Sequence, residues 1–138
     1  MPAAVAMVPA GVDALVRDGH EVFVQSTAGD GIGFSDEMYE AAGATILPDA
    51  AAVFEKGELI VKVKEPQPSE TAMLKPHHTL YTYLHLAADA VQAEGLRKAG
   101  CLSIAYETVT LPEGDETPGH RALLRHSMYS TQDASAMR

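Results

Sequence analysis

Five short runs rich in β-branched, aliphatic and aromatic residues punctuate this chain, and a helical segment lies between each pair. The runs are EVFVQ (21–25), Ala44–Leu47, LIVKVK (59–64), Leu80–His85 and LSIAYET (102–108). A strand followed by a helix cannot fold back as a hairpin. It must cross over, and successive crossovers of one hand make the strands parallel and lay helices on both faces. The expected fold class is therefore α/β: an open, mostly parallel sheet with helices on both faces, Rossmann-like or flavodoxin-like.

Helix punctuation supports this reading. Pro9 suits a first turn, Val12, Leu15 and Val16 share one face, and Gly19 ends the segment. Ser35 is expected to cap a helix over about 35–42, with Met38, Ala41 and Ala42 inward and Gly43 as its stop. Further helices are expected from Pro48–Asp49 through Phe54, from Ser69 over SETAMLK, and over Ala88–Ala99 before Gly100. The pattern fades near residue 110. Residues 1–109 read as the folded domain, and 110–138, polar and turn-rich, as a poorly ordered tail.

Composition narrows the function classes. With 10 Lys+Arg against 19 Asp+Glu, the formal net charge is −9, which disfavours nucleic acid or an anionic membrane as partner. Cys101 is the single cysteine, so neither a disulfide framework nor a cysteine-rich zinc site is expected, and a reducing, cytoplasmic setting is. No apolar run reaches a membrane-spanning length, and the apolar start carries no Lys or Arg before Arg17, unlike a signal peptide.

In open parallel sheets ligands collect at the carboxyl ends of the strands. Lys64 closes LIVKVK and His85 closes the Leu80–His85 run. On neighbouring strands they would approach one crevice, a cation beside an imidazole, suited to a keto or amino acid. Each has an ordinary reading as well. A strand-end histidine is usually a surface or hydrogen-bonded residue. Lys62 and Lys64 could be edge lysines that deter aggregation. Tyr81 and Tyr83 read as core. His77 and His78 read as loop residues, since no partner is spaced to complete a metal site, and Glu107 as a lone exposed carboxylate. Gly29, Gly31 and Gly33 form G-x-G-x-G, but Ser35 opens a new short helix, so a turn explains the loop better than a nucleotide.

KVKEP, TYLHLAA and AYETV, with VAMVPAGVDALVRDGHEVFVQSTAGDGIGFSD and YEAAGA, run in order over residues 4–109. Together they resemble the N-terminal, substrate-binding part of the alanine dehydrogenase and nicotinamide nucleotide transhydrogenase family. The histidine of TYLHLAA favours the alanine dehydrogenase branch. The resemblance implies NAD-dependent oxidation of L-alanine to pyruvate and ammonium. It implies that Lys64 binds substrate, that His85 donates and accepts the proton, and that the enzyme is a cytoplasmic homo-oligomer, a hexamer. It implies no metal and, in this part, no cofactor-binding residue, because NAD is held by a second domain. Ala4 stands where the family has a carboxylate-gripping arginine, and Val8 where it has threonine. The family's first strand is expected upstream, and past Val109 its P-M-S-E-V-A-G-R helix does not follow. The expectation is a truncated or frameshifted chain, inactive alone. The alternatives are a non-catalytic module that binds a small carboxylate or a partner, or a remnant without function.

Overall fold

A computed structural model describes residues 4–108. The elements alternate: α1 (Pro9–Arg17), β1 (Phe23–Gln25), α2 (Asp36–Ala41), β2 (Thr45–Leu47), α3 (Ala50–Lys56), β3 (Leu59–Val61), α4 (Pro68–Thr71), β4 (Thr79–Thr82), α5 (Ala90–Ala99) and β5 (Leu102–Ala105). Single 3-10 turns lie at Asp30–Ile32, Leu86–Ala88 and Tyr106–Thr108. The fold is α/β and its strands pair in parallel, as the alternation requires. The tail expected over 110–138 lies outside the described residues.

The strands form two sheets rather than one. β1 pairs with β2, Val24 opposite Ile46, while β4 lies between β3 and β5, with Tyr81 opposite Val61 and Ile104. Between the sheets runs a groove of about 970 Å³, walled by β1 on one side and β3 on the other. The strands are also shorter than their apolar runs. β3 stops at Val61, not Lys64, and β4 at Thr82, not His85. In each case the last residues leave the ladder to make the loop that carries the polar group.

Each sheet has its own apolar cluster. One gathers Phe54, Ile60, Leu74, Leu80, Leu84 and Leu96 around β3–β5. The other centres on Val12, Tyr39 and Ala44. The expected inward face of α2 was out of phase. Met38 and Ala41 are exposed, while Tyr39 is fully buried and donates its hydroxyl to the Met7 carbonyl at 2.8 Å. A helix of six residues has too little periodicity to fix its phase, so the packing against α1 decides. Gly43 closes this helix with φ +99°, and a Cβ there would lie 2.9 Å from Val16.

Caps explain the other boundaries. Asp49 accepts the Ala52 N–H and Asp89 the Gln92 N–H, both at 2.9 Å. Asp89 thus starts α5 two residues later than Ala88. Pro68 starts α4 one residue before Ser69, with Glu70 reaching back to the Gln67 N–H at 2.7 Å.

Candidate functional site

The carboxyl ends of β3 and β4 define the site. Beyond the ladder the two segments stay side by side. The Lys62 N–H donates to the Tyr81 carbonyl, the Tyr83 N–H to the Val63 carbonyl, and the Thr82 hydroxyl to the Lys64 carbonyl at 2.7 Å. Thr82 is fully buried, so this last bond anchors the Lys64 backbone to the core. The Lys64 side chain is exposed and lines the groove between the sheets. Pro66 then restricts Glu65 to extended backbone and so helps direct its carboxylate.

His85 sits in a tight turn rather than on the strand. Its backbone is left-handed, φ 47° and ψ 39°, and it caps the turn Leu86–Ala88. That conformation costs a residue with a Cβ about 1–2 kcal/mol, so its neighbours must hold it. Glu107, which follows β5, accepts the His85 N–H at 2.8 Å and the Leu84 N–H at 3.2 Å. The buried Gln92 of α5 donates to the Leu84 carbonyl at 2.5 Å. The imidazole is half exposed. Its Nδ1 lies 2.6 Å from the Glu65 carboxylate, and its ring lies 4.3 Å from that of Tyr83.

Partial burial pushes the Glu65 carboxyl up. The His85 hydrogen bond, a bond from its own backbone and the charges of His85 and Lys64 outweigh this and hold it below the usual carboxylate range. Glu65 is therefore ionised near neutrality and can only accept. Nδ1 must then carry a proton, which leaves Nε2 as the nitrogen free to take or give one. Burial, with help from Tyr81, pushes the Tyr106 hydroxyl up to about 12, so that phenol stays protonated. The structure brings Glu65 and His85 into direct contact. Lys64 reaches Glu65 through its charge, and no hydrogen bond or ion pair joins Lys64 to His85 among the described residues.

Several residues do other work than the sequence suggested. Lys62 is an ion-pair partner of Glu70 at 2.7 Å rather than a free edge lysine. His78 lies in the connection between α4 and β4, as expected, but it is buried there, 1% exposed, with Nδ1 accepting the Lys75 N–H. Tyr81 and Tyr83 are half-buried, Tyr81 against the Tyr106 ring. Glu107 is half-buried and bonded rather than a lone exposed carboxylate. Glu65 and Gln92 drew no attention in the sequence. The only signal was the proline after Glu65, and nothing marked Gln92.

The glycine loop is built as a turn. Asp36 accepts the Ser26 hydroxyl at 2.6 Å and the Thr27 N–H at 2.8 Å. A Cβ on Gly29 would lie 2.8 Å from the Tyr39 ring, so this glycine makes room for packing. Only the six-residue α2 follows. These residues do not fit a dinucleotide, whose pyrophosphate needs a glycine cradle at the start of a long helix. No group of three or more His, Cys, Asp or Glu among the described residues could hold a metal ion. No described helix is long and apolar enough to cross a membrane.

A parallel α/β layer with its polar residues at the carboxyl ends of the strands is the architecture of a small-molecule-binding domain. Residues 3–126 match the family model described as alanine dehydrogenase/PNT, N-terminal domain. An alanine dehydrogenase of Halomonas elongata is 53% identical over 110 residues, covering 80% of this chain and 30% of that protein. A solved L-alanine dehydrogenase superposes with a TM-score of 0.76 at 44% identity, over 80% of this chain and 30% of the other. A transhydrogenase from Sinorhizobium meliloti superposes at 0.70 with 26% identity, over 76% of this chain and 30% of its own. The chain belongs to the alanine dehydrogenase/PNT N-terminal domain family, and it spans about 30% of the length of these relatives.

Proposed function

We propose that this chain supplies the substrate-binding half of an NAD-dependent L-alanine dehydrogenase. In this reading Lys64 holds an oxygen of pyruvate or L-alanine, and Nε2 of His85 exchanges the proton with the reacting group. Glu65 fixes the imidazole and balances its charge when the second proton arrives. The single observation that carries this is the placing of Lys64 and His85 at the carboxyl ends of adjacent parallel strands, both acting on one carboxylate. NAD supplies the hydride acceptor when bound. The glycine loop of this chain does not fit it, and in this reading another domain holds it. The described residues then bind and orient the substrate, and turnover requires the domain that holds NAD. The homo-oligomer and the cytoplasmic setting of the family extend to this chain as part of the same proposal.

Calorimetric titration of the chain with pyruvate tests this. Binding is expected, and Lys64→Ala is expected to weaken it about tenfold. That is the low end of a charge-assisted hydrogen bond, because Lys64 is solvent-exposed. Binding that survives unchanged in both Lys64→Ala and His85→Ala would place the substrate elsewhere.

A further inference from the structure

We propose that Glu107 is a positioning residue for His85, pinning the left-handed turn that carries the imidazole to Glu65. The inference rests on the reading of His85 as the proton-exchanging group. Its geometric basis is independent of that reading. After Thr82 the chain leaves the sheet, and the ladder no longer serves the N–H groups of Leu84 and His85. The Glu107 carboxylate takes both, at 3.2 and 2.8 Å through the same oxygen, while its second oxygen stands 3.3 Å from the Leu84 nitrogen.

Two adjacent N–H groups converge on one anion only when the backbone curls, as it does at φ 47° and ψ 39°. A carboxylate at this point rewards the conformation that a side chain at position 85 otherwise disfavours. β5 is the neighbour of β4, so Glu107, in the 3-10 turn that follows β5, is placed to reach across. Gln92 holds the other side of Leu84 by its carbonyl. The turn is thereby fixed from β5 and from α5 together. The imidazole, whose only hydrogen-bond partner among the described residues is Glu65, inherits that precision. Without Glu107 the turn relaxes toward ordinary φ values, which swings the ring away from Glu65.

The test uses the full chain and two variants, Glu107→Ala and Glu107→Gln, read by NMR and by pyruvate titration. In Glu107→Ala the amide protons of Leu84 and His85 are expected to exchange at least about tenfold faster, with other amides unchanged. The Glu65 carboxyl is expected to titrate closer to its ordinary value. Pyruvate affinity is expected to fall. Glu107→Gln keeps a carbonyl acceptor, folds with the same shape, and is expected to restore most of the His85 protection. Unchanged exchange at Leu84 and His85 in Glu107→Ala overturns the proposal. So does fast exchange with an unmoved Glu65 titration, because Glu107 would then shape the turn without placing the ring. If the unmodified chain binds no pyruvate, the substrate reading fails, and the exchange and Glu65 measurements still decide the role of Glu107.

Discussion

Replacing Glu65 with alanine tests the electrostatic core of the site. The His85 Nδ1 lies 2.6 Å from Glu65, with side-chain exposures of 50% and 33%. Solvent screens a pair this open, so its contribution to stability is small, about 0.2–1 kcal/mol. The melting temperature of Glu65→Ala should barely move. The tautomer should respond more visibly, since about 1 kcal/mol changes a two-state ratio roughly fivefold. With Glu65 present, neutral His85 should carry its proton on Nδ1. With alanine there, that preference should fall several-fold toward the alternative. Nitrogen-15 NMR of the imidazole ring separates the two forms directly, at a pH where the ring is neutral. A ring that holds its proton on Nε2 in the unmodified chain would refute the reasoning, because Nε2 could not then act as the base. The pair also has an acid signature. Folding holds the Glu65 carboxyl below its ordinary value of 4.5, so its contribution is fully present above that pH. It is lost as pH falls through the lower folded value, and Glu65→Gln should remove that part of the acid slope.

Two further outcomes follow from the core. Burial, with the His77 charge, lowers the His78 pKa from 6.5, so only the unfolded chain takes a proton just below that value. Stability should decline as pH falls from 6.5 through the folded value and level off below it. His78→Leu should abolish that slope whatever its overall stability, and melts at several pH values check this. Leu80 is fully buried in the apolar cluster around β4. Leu80→Ala should cost about 2–5 kcal/mol by urea titration, and a loss under about 1 kcal/mol would show that this cluster does not hold the sheet together.

The sequence made the strand–helix alternation plain, because hydrophobic runs and glycine stops are local signals. Runs such as LIVKVK located their strands to within a few residues, yet β3 ends at Val61. Apolar content marks what can be buried, whereas the ladder ends where the chain turns to reach its neighbours. Lys64 and His85 stood out for their types and positions. Glu65, Gln92 and Glu107 did not, because a carboxylate or amide gains meaning only from the backbone groups it meets.

From the amino acids alone came the parallel α/β class, the family resemblance and the two candidate side chains. Each of these depends on residue types and their order along the chain. Tertiary structure decided that the strands form two sheets facing a groove, and that His85 stands in a left-handed turn. It also decided which carboxylate holds which nitrogen. Glu107 is 22 residues from His85 along the chain, and that hydrogen bond exists only because β5 pairs beside β4.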